Sequence, residues 1–174
     1  GETRADKCSR IRRSLQEKGA DLFILTSLDD IAWLLNIRGN DIHCCPVVLS
    51  YLIMTQENIH LFAEEKAFPQ TLRESLQKEG GIFHPYNDIY TYVQTIPSDK
   101  TVYLSRNHVN SRLISNLPEE VRVISGENLT LLPKAIKNPA EVANEKTAHI
   151  RDGVAMTRFI YWLKTHVGKD EITE

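Results

Sequence analysis

Apolar positions recur at Ala5, Cys8, Ile11 and Leu15, a helical period that predicts a helix from Thr3 to Lys18. Thr3 and Asp6 have capping-box spacing at its start, and Gly19 suits the left-handed residue at its stop. Asp21–Thr26 is a short apolar run that reads as a buried strand. Ser27 and Asp30 repeat the capping pattern and open a helix through Ile31, Leu34 and Leu35 that ends near Gly39. Strands at Val47–Met54 and Asn58–Phe62 flank the polar break Thr55-Gln56-Glu57, the mark of a hairpin. A helix is then predicted from Glu64 to Lys78, followed by strand Ile82–His84 and helix Ile89–Ile96. Strand Thr101–Ser105, helix His108–Leu117 and strand Val121–Ser125 complete the alternation. Alternating elements of this kind predict an α/β fold whose sheet is covered on both faces, and the hairpin makes that sheet mixed.

The text changes at Lys137-Asn138-Pro139. Asn138 suits an N-cap, Pro139 the first turn and Glu141 a capping box, so a helix is expected to run to Val167, about 29 residues or ~43 Å. Its broad apolar stripe, Ile150, Val154, Ala155, Phe159, Ile160, Leu163 and Val167, calls for a covering surface, either on this domain or on one that follows. The organisation read from the chain is therefore an α/β domain at 1–137 and a separate helical segment at 138–174. An apolar stripe of this size also favours self-association, so a homo-oligomer is expected.

The 174 residues are 41% hydrophobic and 25% charged, with formal net charge −2, a globular composition that excludes low-complexity and collagen-like chains. The balanced charge argues against a nucleic-acid partner, and no apolar run has the length of a membrane span. Three cysteines, Cys8, Cys44 and Cys45, cannot build a disulfide framework and fit a reducing, cytoplasmic setting. A first residue of Gly1 in place of Met predicts a processed or excised chain.

No catalytic constellation emerges from residue types and spacing. His43-Cys44-Cys45 lacks the paired spacing of a zinc site and reads as a loop with a buried thiol entering a strand. Asp29-Asp30 reads as acidic residues at a helix start, and His60 is expected to face solvent. The remaining chemistry lies in the polar loop Arg38-Gly39-Asn40-Asp41-Ile42-His43, between an apolar helix and an apolar strand. Arg38 is suited to a carboxylate or carbonyl and Asp41 to a cationic amine. Alternatively, the two side chains satisfy each other or the turn.

The string Asp29-Asp30-Ile31-Ala32-Trp33-Leu34-Leu35-Asn36-Ile37-Arg38-Gly39-Asn40-Asp41-Ile42, followed by Pro46-Val47 and Ser50-Tyr51, closely resembles the creatinase-like N-terminal domain of Xaa-Pro aminopeptidases. The second block, Lys134–Glu141 and Ala148–Ala155, is similar to that family's linker and the first helix of its catalytic domain. The likeness is strongest to the second domain of three-domain members. Where family members often show Ser-Asp and Asn-Pro, this chain has Asn40-Asp41 and Cys45-Pro46.

The resemblance implies a creatinase N-terminal-like fold, a mixed sheet flanked by helices with a ribonuclease-H-like motif, ahead of a pita-bread metallopeptidase domain. That domain would hold two divalent ions, commonly manganese, through two Asp, one His and two Glu lying beyond Glu174. No cofactor or catalytic residue is thus expected in this chain. It would shape the approach of a proline-containing peptide, with Arg38, Asp41, His43 and Tyr51 as substrate contacts. Two other family roles stay open: a recognition module joined to a pita-bread domain without metals, and a creatinase-type amidinohydrolase.

Overall fold

The computed structural model describes residues 1–173. Two compact units divide the chain, one spanning Glu2–Ile136 and another that begins at Lys137. In the first, α1 (Arg4–Glu17) starts at Thr3, whose hydroxyl accepts the Asp6 N–H and donates to the Asp6 carboxylate at 2.5 Å. Cys8, Ile11 and Leu15 bury the apolar face of α1. Six strands follow: β1 (Leu22–Leu25), β2 (Ser50–Met54), β3 (Ile59–Ala63), β4 (Gly81–His84), β5 (Thr101–Leu104) and β6 (Arg122–Ser125). Between them lie α2 (Leu28–Leu35), α3 (Gln70–Lys78), α4 (Ile89–Tyr92), α5 (Ser111–Ser115) and, after β6, α6 (Leu131–Ala135).

The sheet runs β4-β3-β2-β1-β5-β6. β2 is antiparallel to both β1 and β3, and the other pairs are parallel, so the sheet is mixed as the hairpin requires. Alternation along the strands builds two cores. Phe23, Leu25, Leu52, Met54 and Leu61 meet α1, α2 and α3 on one face. Leu22, Ile24, Ile53, Phe62, Val102 and Leu104 meet Ile89, Val93 and Leu113 on the other. Covering both faces leaves the loops at the strand ends as the places where polar side chains converge.

Several elements are shorter than their sequence pattern predicts. Val47–Leu49 is not strand, because its backbone pairs back onto the preceding loop instead of a neighbouring strand. Pro69, with extended backbone, divides Glu64–Lys78 into a 3-10 turn at Glu65–Ala67 and α3. Residues 89–96 form one α-helical turn that tightens to 3-10 before Pro97. Asn110 caps α5 by accepting the Leu113 N–H, so that helix begins three residues after His108. α2 ends at Leu35 rather than near Gly39: Asn36 takes the left-handed stop at φ 54°, its side chain held by Lys7 Nζ at 2.6 Å. α6 carries no periodic signal and is absent from the sequence prediction.

In the second unit, α7 (Pro139–His166) begins with a full capping box between Asn138 and Glu141. Ile150, Val154, Phe159 and Ile160 are exposed along it, and Val167 just past its end. No helix among the described residues is long and apolar enough to cross a membrane.

Candidate functional site: the Arg38–Leu49 loop

Two buried anchors define this loop. Ile37 closes the end of α2, and Val47 and Val48 return the chain to the sheet, while Arg38, Asp41 and His43 between them are exposed. The outgoing and returning limbs are laced by Gly39 N–H to the Pro46 carbonyl at 3.4 Å and Asp41 N–H to the Val47 carbonyl at 3.3 Å. Gly39 is needed here for space: a Cβ would lie 2.5 Å from Val48 Cγ2 and 2.8 Å from the Val47 oxygen. At the tip, Ile42 and Cys45 bridge across the His43-Cys44 turn, with Cys44 at φ 59°.

Arg38 Nη1 donates to the carbonyls of Ala32 (3.2 Å), within α2, and Ile37 (2.7 Å), just past its end, placing a cation at the negative C-terminal end of the helix. Asp41 Oδ2 accepts the Leu49 N–H at 2.8 Å. Both side chains thus hold the loop rather than each other. Among the described residues no further hydrogen bond engages Arg38 Nε or Nη2, or Asp41 Oδ1. The exposed loop therefore leaves the three N–H groups of Arg38 Nε and Nη2 and one carboxylate oxygen of Asp41 open, with the His43 imidazole at the tip.

Tyr51 lies in a different cluster. Its ring packs on Tyr86 at 5.0 Å and Tyr90 at 6.1 Å, and its hydroxyl shares bonds with Tyr90 (3.2 Å) and Asn110 (3.4 Å). Burial, then the neighbouring Tyr86, raises its pKa above the usual phenol value. Arg112 lies 4.2 Å above the Tyr90 ring. Among the described residues no hydrogen bond or ring contact joins Tyr51 to Arg38, Asp41 or His43, so the sequence-predicted set divides into a loop triad and a separate aromatic group.

Other expectations are corrected. Cys45 is exposed and precedes no strand directly, because the turn at 43–44 points both thiols away from the core. Ser27 makes no side-chain cap; its hydroxyl and the buried Asp30 carboxylate both accept from Asn128 Nδ2, at 2.9 and 3.0 Å. Lys134 of α6 reaches both Asp29 and Asp30. Burial alone would raise the Asp29 carboxyl, but Lys134 outweighs it and the net shift is downward. These are ion pairs across a hundred residues of sequence, which spacing cannot reveal. His60 is half-buried, not solvent-facing: Nδ1 lies 3.0 Å from His84 Nε2, and Nε2 lies 3.2 Å from the Tyr92 hydroxyl. The parallel β3–β4 register, pairing Phe62 with His84, creates that contact.

Among the described residues no three His, Cys, Asp or Glu side chains are placed to hold a metal ion. The paired-ion donor set implied by the resemblance does not fit these residues, and no step at this loop runs through such ions.

The profile of the Creatinase/Prolidase N-terminal domain matches residues 1–141. Xaa-Pro aminopeptidase 1 of Dictyostelium discoideum is 36% identical over 172 residues, covering 96% of this chain and 26% of that protein. The crystal structure of X-prolyl aminopeptidase from Caenorhabditis elegans, described as a cytosolic enzyme with a di-nuclear active site, is 31% identical. It superposes with a TM-score of 0.82 over 95% of this chain and 28% of its own. The N-terminal domain of the FACT complex subunit SPT16 from chickpea superposes at 0.63 with 17% identity over 95% of this chain and 45% of its own, a likeness of fold alone. The chain spans about a quarter of the curated relatives it matches. Sequence profile and architecture agree: the chain belongs to the creatinase/prolidase N-terminal domain family.

Proposed function

We propose that this chain is the non-catalytic N-terminal part of a metal-dependent Xaa-Pro aminopeptidase that cleaves the peptide bond before proline. The observation that carries the reading is 36% identity to an Xaa-Pro aminopeptidase over 172 residues, a span that includes α7 as well as the α/β unit. In this reading residues 1–137 are the N-terminal domain, and 138–174 lead into a pita-bread catalytic domain holding two divalent ions, manganese by preference. The protein works in the cytoplasm, in keeping with the cytosolic Caenorhabditis elegans neighbour, and assembles as a homodimer.

The Arg38–Leu49 loop shapes the approach to the catalytic pocket. The outward N–H groups of Arg38 suit a peptide carbonyl or carboxylate, the open oxygen of Asp41 a terminal ammonium, and His43 a polar end of the substrate. Tyr51 contributes through the aromatic group at the start of β2. The remaining work, polarising the carbonyl and activating water, falls to the ions of the catalytic domain.

The test is hydrolysis of Xaa-Pro peptides by this chain joined to its catalytic domain and supplied with manganese. Cleavage before proline is expected, with Arg38→Ala raising KM and leaving kcat within about threefold. The 174-residue chain alone is expected to cleave nothing. A manganese-loaded long protein that ignores Xaa-Pro peptides overturns the reading.

A further inference from the structure

We propose that Cys44-Cys45 is a modification site, a vicinal dithiol that exchanges with low-molecular-weight disulfides and closes to a ring disulfide. Cysteine is among the most buried residue types, yet these two adjacent thiols are both free and both exposed at the tip of the Arg38–Leu49 loop. The third thiol offers an internal contrast. Cys8 is 3% exposed, and burial pushes its pKa up to about 11, which leaves little nucleophilic thiolate near neutrality.

The exchange balances in two steps. The thiolate of one cysteine attacks a disulfide such as glutathione disulfide, forming a mixed disulfide and releasing one thiolate that takes up a proton. The neighbouring cysteine, deprotonated in turn, attacks the protein-side sulfur of that mixed disulfide. The Cys44–Cys45 bond forms, the second glutathione leaves, and two protein thiols have been oxidised while one small disulfide has been reduced. Adjacent Cα atoms sit about 3.8 Å apart across a trans peptide, below the ~4.4 Å lower bound of ordinary disulfides. Ring closure therefore forces the Cys44–Cys45 backbone to change. The bonds from Cys45 N–H to the Ile42 carbonyl (3.1 Å) and from Val47 N–H to the Cys45 carbonyl (2.8 Å) run through that backbone. Oxidation consequently rearranges the loop that holds Asp41 and His43. A strained, exposed bridge is also the kind that reductants reopen easily, so the modification is reversible.

The test is incubation of the folded chain with glutathione disulfide, followed by peptide mass mapping and hydrogen exchange. The peptide containing Cys44 and Cys45 is expected to lose two hydrogens, to regain them with dithiothreitol, and to show faster exchange at the Asp41 and Val47 amides when oxidised. Cys44→Ser and Cys45→Ser should each stop at one glutathionyl adduct, and Cys8 should react at least about tenfold more slowly than either. Separate adducts on both thiols, no reaction at either, labelling of Cys8 at an equal rate, or a ring that leaves exchange unchanged would each overturn the proposal. None of these readouts depends on peptide cleavage, so failure of the peptidase reading is distinguishable from failure of this one.

Discussion

The carboxylate of Asp41 accepts the backbone N–H of Leu49 at 2.8 Å, fastening the exposed loop to the residue just ahead of β2. The same group has an oxygen directed to no other described residue, so structure and recognition are separable by substitution. Asp41→Ala removes the acceptor and is expected to cost about 1 kcal/mol, with faster hydrogen exchange across residues 39–49. Asp41→Asn keeps an acceptor oxygen and should leave the loop protected while losing the charge. In the long protein, Asp41→Asn is then expected to raise KM for peptides with a free amino terminus. If the Asn variant loosens the loop as much as the Ala variant, the charge itself holds the turn and the division of roles is wrong.

Gly39 sets how closely the two limbs approach. An added methyl at 2.5 Å from Val48 Cγ2 and 2.8 Å from the Val47 oxygen meets both a side chain and fixed backbone. Gly39→Ala is expected to destabilise the domain by about 1–3 kcal/mol in urea unfolding. Adding Val48→Ala should recover only part of that, because the carbonyl contact remains. Full recovery would show that the side-chain clash is the whole constraint.

The apolar runs Leu22–Leu25 and Leu52–Met54 made the sheet legible, since burial on two faces leaves a continuous apolar signature in sequence. The loop was legible too, as a polar interval between Leu35 and Val47. What spacing could not expose were relationships made by the sheet order. His60 meets His84 because β3 and β4 are parallel neighbours, and Lys134 reaches Asp29 and Asp30 because α6 packs beside α2. Asn36 ending α2 was masked for a different reason: its left-handed backbone is supported by the Lys7 and Glu2 bonds to its side chain, which make a glycine unnecessary.

Lys134 compensates a carboxylate that has little water around it. The Asp30 side chain is 4% exposed, against 25% for Lys134, and Asn128 supplies its other bond at 3.0 Å. Lys134→Met leaves that charge without its cation and is expected to cost about 2–3 kcal/mol, the low end for breaking a buried pair because Lys134 is partly solvated. Asp30→Asn added to Lys134→Met should restore part of the loss, since no buried charge then remains. A double variant no more stable than Lys134→Met would mean that α6 docks by packing alone. Denaturant unfolding of the three proteins reads the difference.

The paired imidazoles predict a pH dependence with a definite sign. Burial first, then the charge of His84, lowers the pKa of His60 from its ordinary 6.5; burial lowers that of His84, with Asp88 opposing. Tyr92 faces the pair as a neutral hydroxyl. Well above pH 6.5 both rings are uncharged in the folded and the unfolded chain. As pH falls through 6.5 the unfolded histidines take up protons before the folded ones, so the unfolded state binds more protons and stability declines. The contribution is full well above that value and lost as pH drops through the lower folded pKa values. Replacing His60 with Gln retains polar partners for Tyr92 and His84 but removes the second titrating ring. The unfolding free energy of the His60→Gln chain should therefore decline less than wild type between pH 7 and about 5. Equal slopes in that interval would place the protonation outside this pair.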